Sequence, residues 1–359
     1  MKRIVVKIGS SSLTNAYGEL DTLQINDHVQ AIAQLKKAGY DVILVSSGAV
    51  AAGFKQLGYP HRPVTLKGKQ AAAAVGQSLL IQHYYERFAL YDITPAQLLL
   101  TRTDFLSKER YQNIYATLEE LLARGLVPII NENDSVSVAE LTFGDNDMLS
   151  ALVSSLIHAE QCIILTDVNG LYTANPALVK DATRINHLTT ITDDVLQQAE
   201  GTSKVGTGGM FSKLLAAKRA LQSGVKVFIG KGQGADKLLR ILAGHGDGTY
   251  IERDDLTFTS TQKQWIRLAE VKGIIYIDEG AEDALMFNGK SLLPAGVTRI
   301  EGDFVKHDVV EVHGLSRVLG RGEVQYAKTD LVQYIGQTKT KQIEVIHRNR
   351  WVQYEEEYT

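Results

Sequence analysis

The chain of 359 residues contains one cysteine, Cys162. A single thiol excludes an intramolecular disulfide and a cysteine-rich zinc site, and a reducing, cytoplasmic setting is expected. Charge of either sign is not in excess: 38 lysines and arginines face 41 aspartates and glutamates, a net of −3. That balance argues against a chain whose main work is gripping nucleic acid through bulk charge. No apolar run approaches the roughly 20 residues that a membrane-spanning helix needs. With a strand-like run beginning at Ile4, no leader peptide is expected. Familiar chemical signatures are missing too. There is no G-x-x-x-x-G-K-[ST] phosphate loop, and Gly230-x-Gly232-x-Gly234 lacks the dinucleotide spacing. Ser46-Ser47-Gly48 falls short of a G-x-S-x-G elbow, and the nine histidines are scattered, with no H-E-x-x-H.

What is present is a globular composition, 44% hydrophobic and 22% charged, with enough length for about two domains. Continuous apolar runs at Ile4–Ile8, Val42–Val45, Ala96–Leu100, Val127–Ile130, Cys162–Leu165 and Val225–Ile229 predict strands buried on both faces. Helical patterns separate them. Asp21 with Gln24 predicts a capped helix ended by Gly39, Leu149–Ile157 carries an apolar stripe, and Met210–Leu221 carries another, closed by Gly224. Strand and helix in alternation predict an α/β fold, a three-layer αβα sandwich around a mainly parallel sheet. The pattern changes after about Tyr250. Residues 1–253 are expected as one domain, 254–271 as a polar linker, and 272–359 as a small β-rich domain ending in the strand-like Ile343–Ile346. The alanine-rich stretch Ala71–Ala74 is either an intersubunit surface or a close-packed helix.

Polar clusters follow the strands: Lys7 to Ser12, Ser46 to Ala49, Asn131 to Asp134, Thr166 to Gly170 and Gly230 to Gly232. Ligands of open parallel sheets bind beyond the carboxyl ends of the strands, so the clusters predict one large site. Lys7 interrupts a run that otherwise reads as buried. An unpaired ammonium there is costly, so its head either reaches solvent or meets an anion beside the small-residue loop. In Thr207-Gly208-Gly209-Met210-Phe211-Ser212-Lys213 a glycine-rich entry opens a helix with a lysine in its first turns. That is a phosphate cradle or an ordinary loop before a solvated lysine. Gly144-Asp145-Asn146-Asp147 opens another helix, where the carboxylates cap the helix or orient the two lysines. Asp134 suits a substrate ammonium, or simply forms a turn.

Taken in order, Val-Val-Lys7-Ile-Gly-Ser-Ser, Val-Ser-Ser47-Gly-Ala-Val-Ala-Ala-Gly53, Ile-Asn131-Glu-Asn-Asp134, Gly144-Asp-Asn-Asp147, Leu-Thr166-Asp-Val-Asn-Gly-Leu-Tyr172 and Gly206-Thr-Gly-Gly-Met210 resemble the amino-acid kinase family in its glutamate-phosphorylating branch. Gln264-Trp-Ile266, Ile277-Asp-Glu-Gly-Ala281, Ser291-Leu-Leu-Pro-Ala-Gly-Val297 and Glu344-Val-Ile-His-Arg348 resemble the PUA domain that follows it in many bacterial members. The resemblance implies transfer of phosphate from ATP, with Mg²⁺ carried on its phosphates, to the γ-carboxylate of L-glutamate. That gives L-glutamyl 5-phosphate, the first step of proline biosynthesis. It implies that Lys7 and Lys213 neutralise the transferred phosphoryl group and Asp147 holds them. Ser47, Asp134 and Asn146 would bind glutamate. Thr166, Asp167 and Thr207 through Gly208, Gly209, Met210, Phe211, Ser212 and Lys213 would line the nucleotide site together with Lys7. No protein metal ligand set is expected. Proline feedback and a homo-oligomer, dimer or tetramer, are implied as well. An acetylglutamate- or aspartate-type carboxylate kinase is disfavoured by the Asn131–Asp134 segment. Asn169 and Asn175 stand where the family often has aspartate. The segment from Lys272 on holds 11 basic and 14 acidic residues, a poor footprint for RNA.

Overall fold

The computed structural model describes residues 2–136, 145–176, 178–200, 209–337 and 343–354. The chain divides into two compact units. The first runs to Asp104 and resumes over Gln112–Phe258, and the second combines Phe105–Tyr111 with the chain from Thr259 on.

In chain order, the elements up to Ile251 are β1 (Arg3–Ile8), α1 (Thr22–Lys37), β2 (Asp41–Ser46), α2 (Ala49–Gly53), α3 (Leu66–Phe88), β3 (Pro95–Leu100), α4 (Lys108–Ala123), β4 (Val127–Glu132), α5 (Asp145–Leu156), β5 (Gln161–Leu165), β6 (Leu171–Tyr172), β7 (Arg184–Ile185), β8 (His187–Leu188), α6 (Asp193–Glu200), α7 (Met210–Leu221), β9 (Lys226–Lys231), α8 (Lys237–Leu242) and β10 (Asp247–Ile251). All six apolar runs form strands. They make one sheet in the order β3-β4-β2-β1-β5-β9-β10-β8, parallel from β3 to β9, with β10 antiparallel to β9. Residue alternation sorts the side chains of β1 between two helical layers. Ile4, Val6 and Ile8 share a core with Ile25, Val29 and Ile32 of α1 and Leu80, Tyr84 and Phe88 of α3. The odd positions, Val5 and Lys7, turn to the face covered by α5, which packs in turn on α7. The Asp21 carboxylate caps α1, accepting from the Leu23 and Gln24 backbone N–H groups, and Gly39 closes it at φ 87°.

The alanine-rich stretch belongs to α3. Its Ala72 and Ala73 are buried within the chain, while Ala71 and Ala74 are exposed. Nearby, α3 and α2 touch backbone to backbone. A Cβ built on Gly76 falls 1.8 Å from the Ala49 carbonyl oxygen, and one on Gly53 falls 2.1 Å from that of Ala72. Neither atom is the end of a flexible side chain, so no rotamer relieves the overlap. Gly76→Val is therefore expected to lower stability by more than about 3 kcal/mol, because two helices must separate. A thermal melt with a fall of less than a few degrees would contradict that packing.

The second unit contains α9 (Thr261–Leu268), β11 (Val271–Ile277), α10 (Glu279–Met286), β12 (Val297–Gly302), β13 (Val309–His313), β14 (Val318–Val324), α11 (Lys328–Leu331) and β15 (Ile346–Gln353). Five strands form a sheet in the order β12-β11-β13-β14-β15 around Ile275, Val310, Val312, Leu319 and Trp351. Three details differ from the sequence expectations. The stretch 254–271, expected as a linker, carries α9, which buries Gln264, Trp265 and Ile266. Helix α10 interrupts the strand-like region, capped by the Asp278 side chain on the Ala281 N–H. The last strand begins at Ile346 rather than ending there, because the polar run His347–Arg350 hides its period in the sequence. Glu323 of β14 is fully buried and gathers Lys108, Gln262, His307 and Arg350 around its carboxylate. Burial pushes the Glu323 carboxyl up, but Lys108, Gln262 and His307 outweigh it and hold its pKa below the ordinary glutamate range.

Candidate active site

The sheet register brings the predicted residues to one edge. Lys7 lies opposite Val45 of β2 and Ile164 of β5, so the loops after all three strands share the same end. Asp147, two residues into α5, sits beneath that edge and is about 2% exposed. Its carboxylate receives a cation on each oxygen. Lys7 Nζ lies 2.5 Å from Oδ1, Lys213 Nζ lies 3.3 Å from Oδ2, and the Ser212 hydroxyl donates to Oδ2 at 3.0 Å. Burial alone pushes the Asp147 carboxyl up, but the two lysines and the Ser212 hydrogen bond outweigh it and hold it low. Lys213 shifts the other way: burial lowers its pKa, with a further push from Lys7, against the opposing pull of Asp147. The three groups together carry one net positive charge in a buried place, which is favourable only beside an anion.

The residues expected to line the nucleotide site flank this cluster. Thr166 and Asp167 follow β5, and the Thr166 hydroxyl donates to the Asp167 carboxylate at 3.1 Å. Gly209 precedes α7, whose first turn carries Met210, Phe211, Ser212 and Lys213. Thr207 and Gly208, with Gly144 and Gly206 of the sequence motifs, lie outside the described residues. Asn169 accepts from the Tyr172 hydroxyl at 3.0 Å and donates to the Asp247 carboxylate at 3.5 Å. An amide suits that position, because a carboxylate would face Asp247 with like charge. Asn175 accepts the Leu178 and Val179 N–H groups at its carbonyl and so starts a turn.

On the other side of Asp147, its neighbour Asn146 faces the ends of β2 and β4. Asn146 Nδ2 donates to Ser47 Oγ at 3.1 Å and to Asn131 Oδ1 at 3.0 Å, while its Oδ1 accepts the Glu132 N–H at 3.1 Å. Consecutive residues of one helix therefore serve two subsites, Asp147 the cationic one and Asn146 the amide-lined one. Asp134 stands apart from these hydrogen bonds. Burial lifts its carboxyl to about 6, although Arg62 and Lys69 pull it down. Arg62, Lys69 and Gln77 were not singled out in the sequence, and Asn131 stood there only as the start of a polar cluster and motif, with no role of its own. A loop arginine and a helix amide or lysine carry no distinguishing signal, and only position relative to the site reveals them.

Comparison with known proteins narrows the reading. The amino acid kinase family matches residues 2–231, and the PUA domain matches residues 273–347. The chain belongs to the amino acid kinase family. Every predicted site residue falls within the kinase match. Curated relatives align over nearly the whole length. Glutamate 5-kinase 1 of Bacillus licheniformis is 62% identical over 99% of each chain, and glutamate 5-kinase 1 of Bacillus subtilis is 58% identical over 98% of each. Glutamate 5-kinase of Geobacillus kaustophilus is 56% identical over 98% of this chain and 97% of its own. Among solved structures, a carbamate kinase from Giardia lamblia bound to AMP-PNP superposes with a TM-score of 0.52 at 17% identity. It covers 70% of this chain and 99% of its own, and the likeness shows that the amino acid kinase fold is shared.

Proposed function

We propose that the chain phosphorylates the γ-carboxylate of L-glutamate with ATP, giving L-glutamyl 5-phosphate and ADP, the first step of proline biosynthesis. The near-full-length likeness to named glutamate 5-kinases supports this. The structural observation that carries it is the pair Asn146 and Asp147, adjacent residues whose side chains join an amide-lined subsite to a buried cationic one. Glutamate enters the reaction ionised, since a carboxyl of this kind has a reference pKa near 4.3. A γ-carboxylate oxygen attacks the γ-phosphorus, the bond from that phosphorus to the bridging oxygen breaks, and its electron pair leaves with ADP. No proton moves, so no general base is needed. The barrier lies in bringing anions together, and positioned positive charge lowers it. Lys7 and Lys213 supply that charge from the chain, and Asp147 fixes both ammonium groups in place. Mg²⁺ riding on the ATP phosphates would supply more, since that ion keeps phosphate and water ligands. Arg62 and Lys69 beside Asp134 match an amino acid's carboxylate and ammonium groups.

Incubation with ATP, Mg²⁺, hydroxylamine and a panel of acidic amino acids tests this reading. Glutamate hydroxamate is the expected product. Its absence from folded protein, with another acid trapped instead, would overturn the substrate assignment. The same assay with proline added tests feedback inhibition, and sedimentation tests a dimer or tetramer. Both belong to the same reading. No described helix is long and apolar enough to cross a membrane. Salt-dependent RNA retention on filters would give the PUA domain a role that its charge does not suggest.

A further inference from the structure

The amide-lined subsite is polarised from one fixed point. The Glu132 backbone N–H can only donate, so the Asn146 atom facing it at 3.1 Å is Oδ1. Asn146 Nδ2 is then the donor to both Ser47 Oγ and Asn131 Oδ1. With its oxygen accepting, Asn131 turns Nδ2 outward, and Gln77 Oε1 accepts from it at 2.8 Å. The direction of every link follows from the first. Ser47 Oγ, having accepted from Asn146, has its own proton left to give, which suits a carboxylate oxygen. Asn131 is about 1% exposed, so its amide has no water with which to replace a lost partner.

We propose that Gln77 is a positioning residue for the acceptor substrate: by accepting from Asn131 it locks the Asn131–Asn146–Ser47 chain with the Ser47 hydroxyl proton directed at a substrate carboxylate. The backbone supports the same role. Gln77 follows Gly76, where α3 rests directly on the Ala49 carbonyl at the start of α2, and α2 begins two residues after Ser47. One end of the chain, Gln77, thus lies on α3 and the other, Ser47, in the loop that enters α2, and Asn131 and Asn146 bridge them. Loss of the Gln77 oxygen leaves the buried Asn131 NH2 without its acceptor. The Asn131 amide then shifts to find another, and Asn146, which donates to both Asn131 and Ser47, shifts with it.

The inference rests on glutamate as the acceptor, and its test separates the two. Gln77→Glu retains an accepting oxygen at the same reach and is expected to keep the KM for glutamate within about threefold of wild type. Gln77→Met has similar length and no acceptor, and its KM for glutamate should rise about tenfold or more. The KM for ATP should stay unchanged in both. The thermal shift caused by added glutamate should persist in Gln77→Glu and shrink in Gln77→Met, a readout that needs no turnover. Wild-type glutamate affinity in folded Gln77→Met would overturn the proposal. So would equal losses in the two variants, or a parallel rise in the KM for ATP, which marks general disruption. If Gln77→Met does not fold, Asn131→Asp reports instead. It keeps the Oδ1 that accepts from Asn146 but removes the donor to Gln77, and unchanged glutamate affinity there would overturn the proposal equally. Wild-type protein that forms no glutamate hydroxamate defeats the substrate reading and not the hydrogen-bond chain.

Discussion

Lys7→Ala is expected to lower kcat by about 10³-fold while leaving the melting temperature nearly unchanged. The asymmetry follows from charge count. In the wild type, one buried carboxylate faces two ammonium groups. Removing Lys7 takes the cation from Oδ1 but leaves a neutral pair, Lys213 with Asp147 Oδ2 and the Ser212 hydroxyl on that oxygen, in place of a buried cluster with net positive charge. The lost contact and the relieved buried charge offset each other, so the fold tolerates the change. Catalysis does not under the proposed reaction, in which the positive charge that the cluster holds beyond neutrality meets the transferred phosphoryl group. Asp147→Asn has the opposite profile. It leaves two buried cations without their carboxylate, at a cost of about 3–5 kcal/mol, so stability and activity fall together. Full rate constants for both variants, read beside thermal melts, separate the two effects. A Lys7→Ala enzyme with wild-type kcat would remove Lys7 from the reaction.

The same cluster shows what a sequence can display. Lys7 was conspicuous because a charge inside a continuous apolar strand is costly, and the period of two places it on the α5 face. Its partner was visible as an aspartate at a helix start, a position that capping alone also explains. The parallel strands were legible because burial on both faces leaves unbroken apolar runs. Elements stabilised by a few contacts were not. Helix α9 lies in a polar stretch and turns only a short face, centred on Trp265, inward. The grouping of Phe105–Tyr111 with the second unit is invisible in a continuous chain. The Gln77–Asn131 contact joins residues 54 apart through uncharged amides, which neither periodicity nor charge can flag.

Asp134→Asn is expected to raise the KM for glutamate by about 10²-fold and, without substrate, to make the protein more stable. Both effects come from one buried carboxylate. Its pKa of about 6 lies above the ordinary aspartate value because burial disfavours the charge more than Arg62 and Lys69 favour it. A raised carboxylate pKa means that the folded state holds the proton more tightly than the unfolded chain. Ionisation of Asp134 therefore works against folding above pH 6, and that penalty disappears as pH falls toward 4. Asparagine removes it at all pH values, which amounts to about 3 kcal/mol, or roughly 6–12 °C in Tm, near pH 7.5. The substrate ammonium relieves the same penalty by pairing with the carboxylate, so glutamate should raise the Tm of the wild type and not of the variant. In the wild type, kcat/KM for glutamate should fall as pH drops through about 6, about tenfold per unit below it, as the protonated carboxyl loses its hold on the ammonium. The glutamate side chain itself, with a reference pKa near 4.3, stays ionised over most of that range and does not account for the fall. The variant's profile should be flat there. A variant that is less stable than wild type at pH 7.5, or a wild-type profile flat through pH 6, would show that Asp134 is not the charged group that meets the substrate.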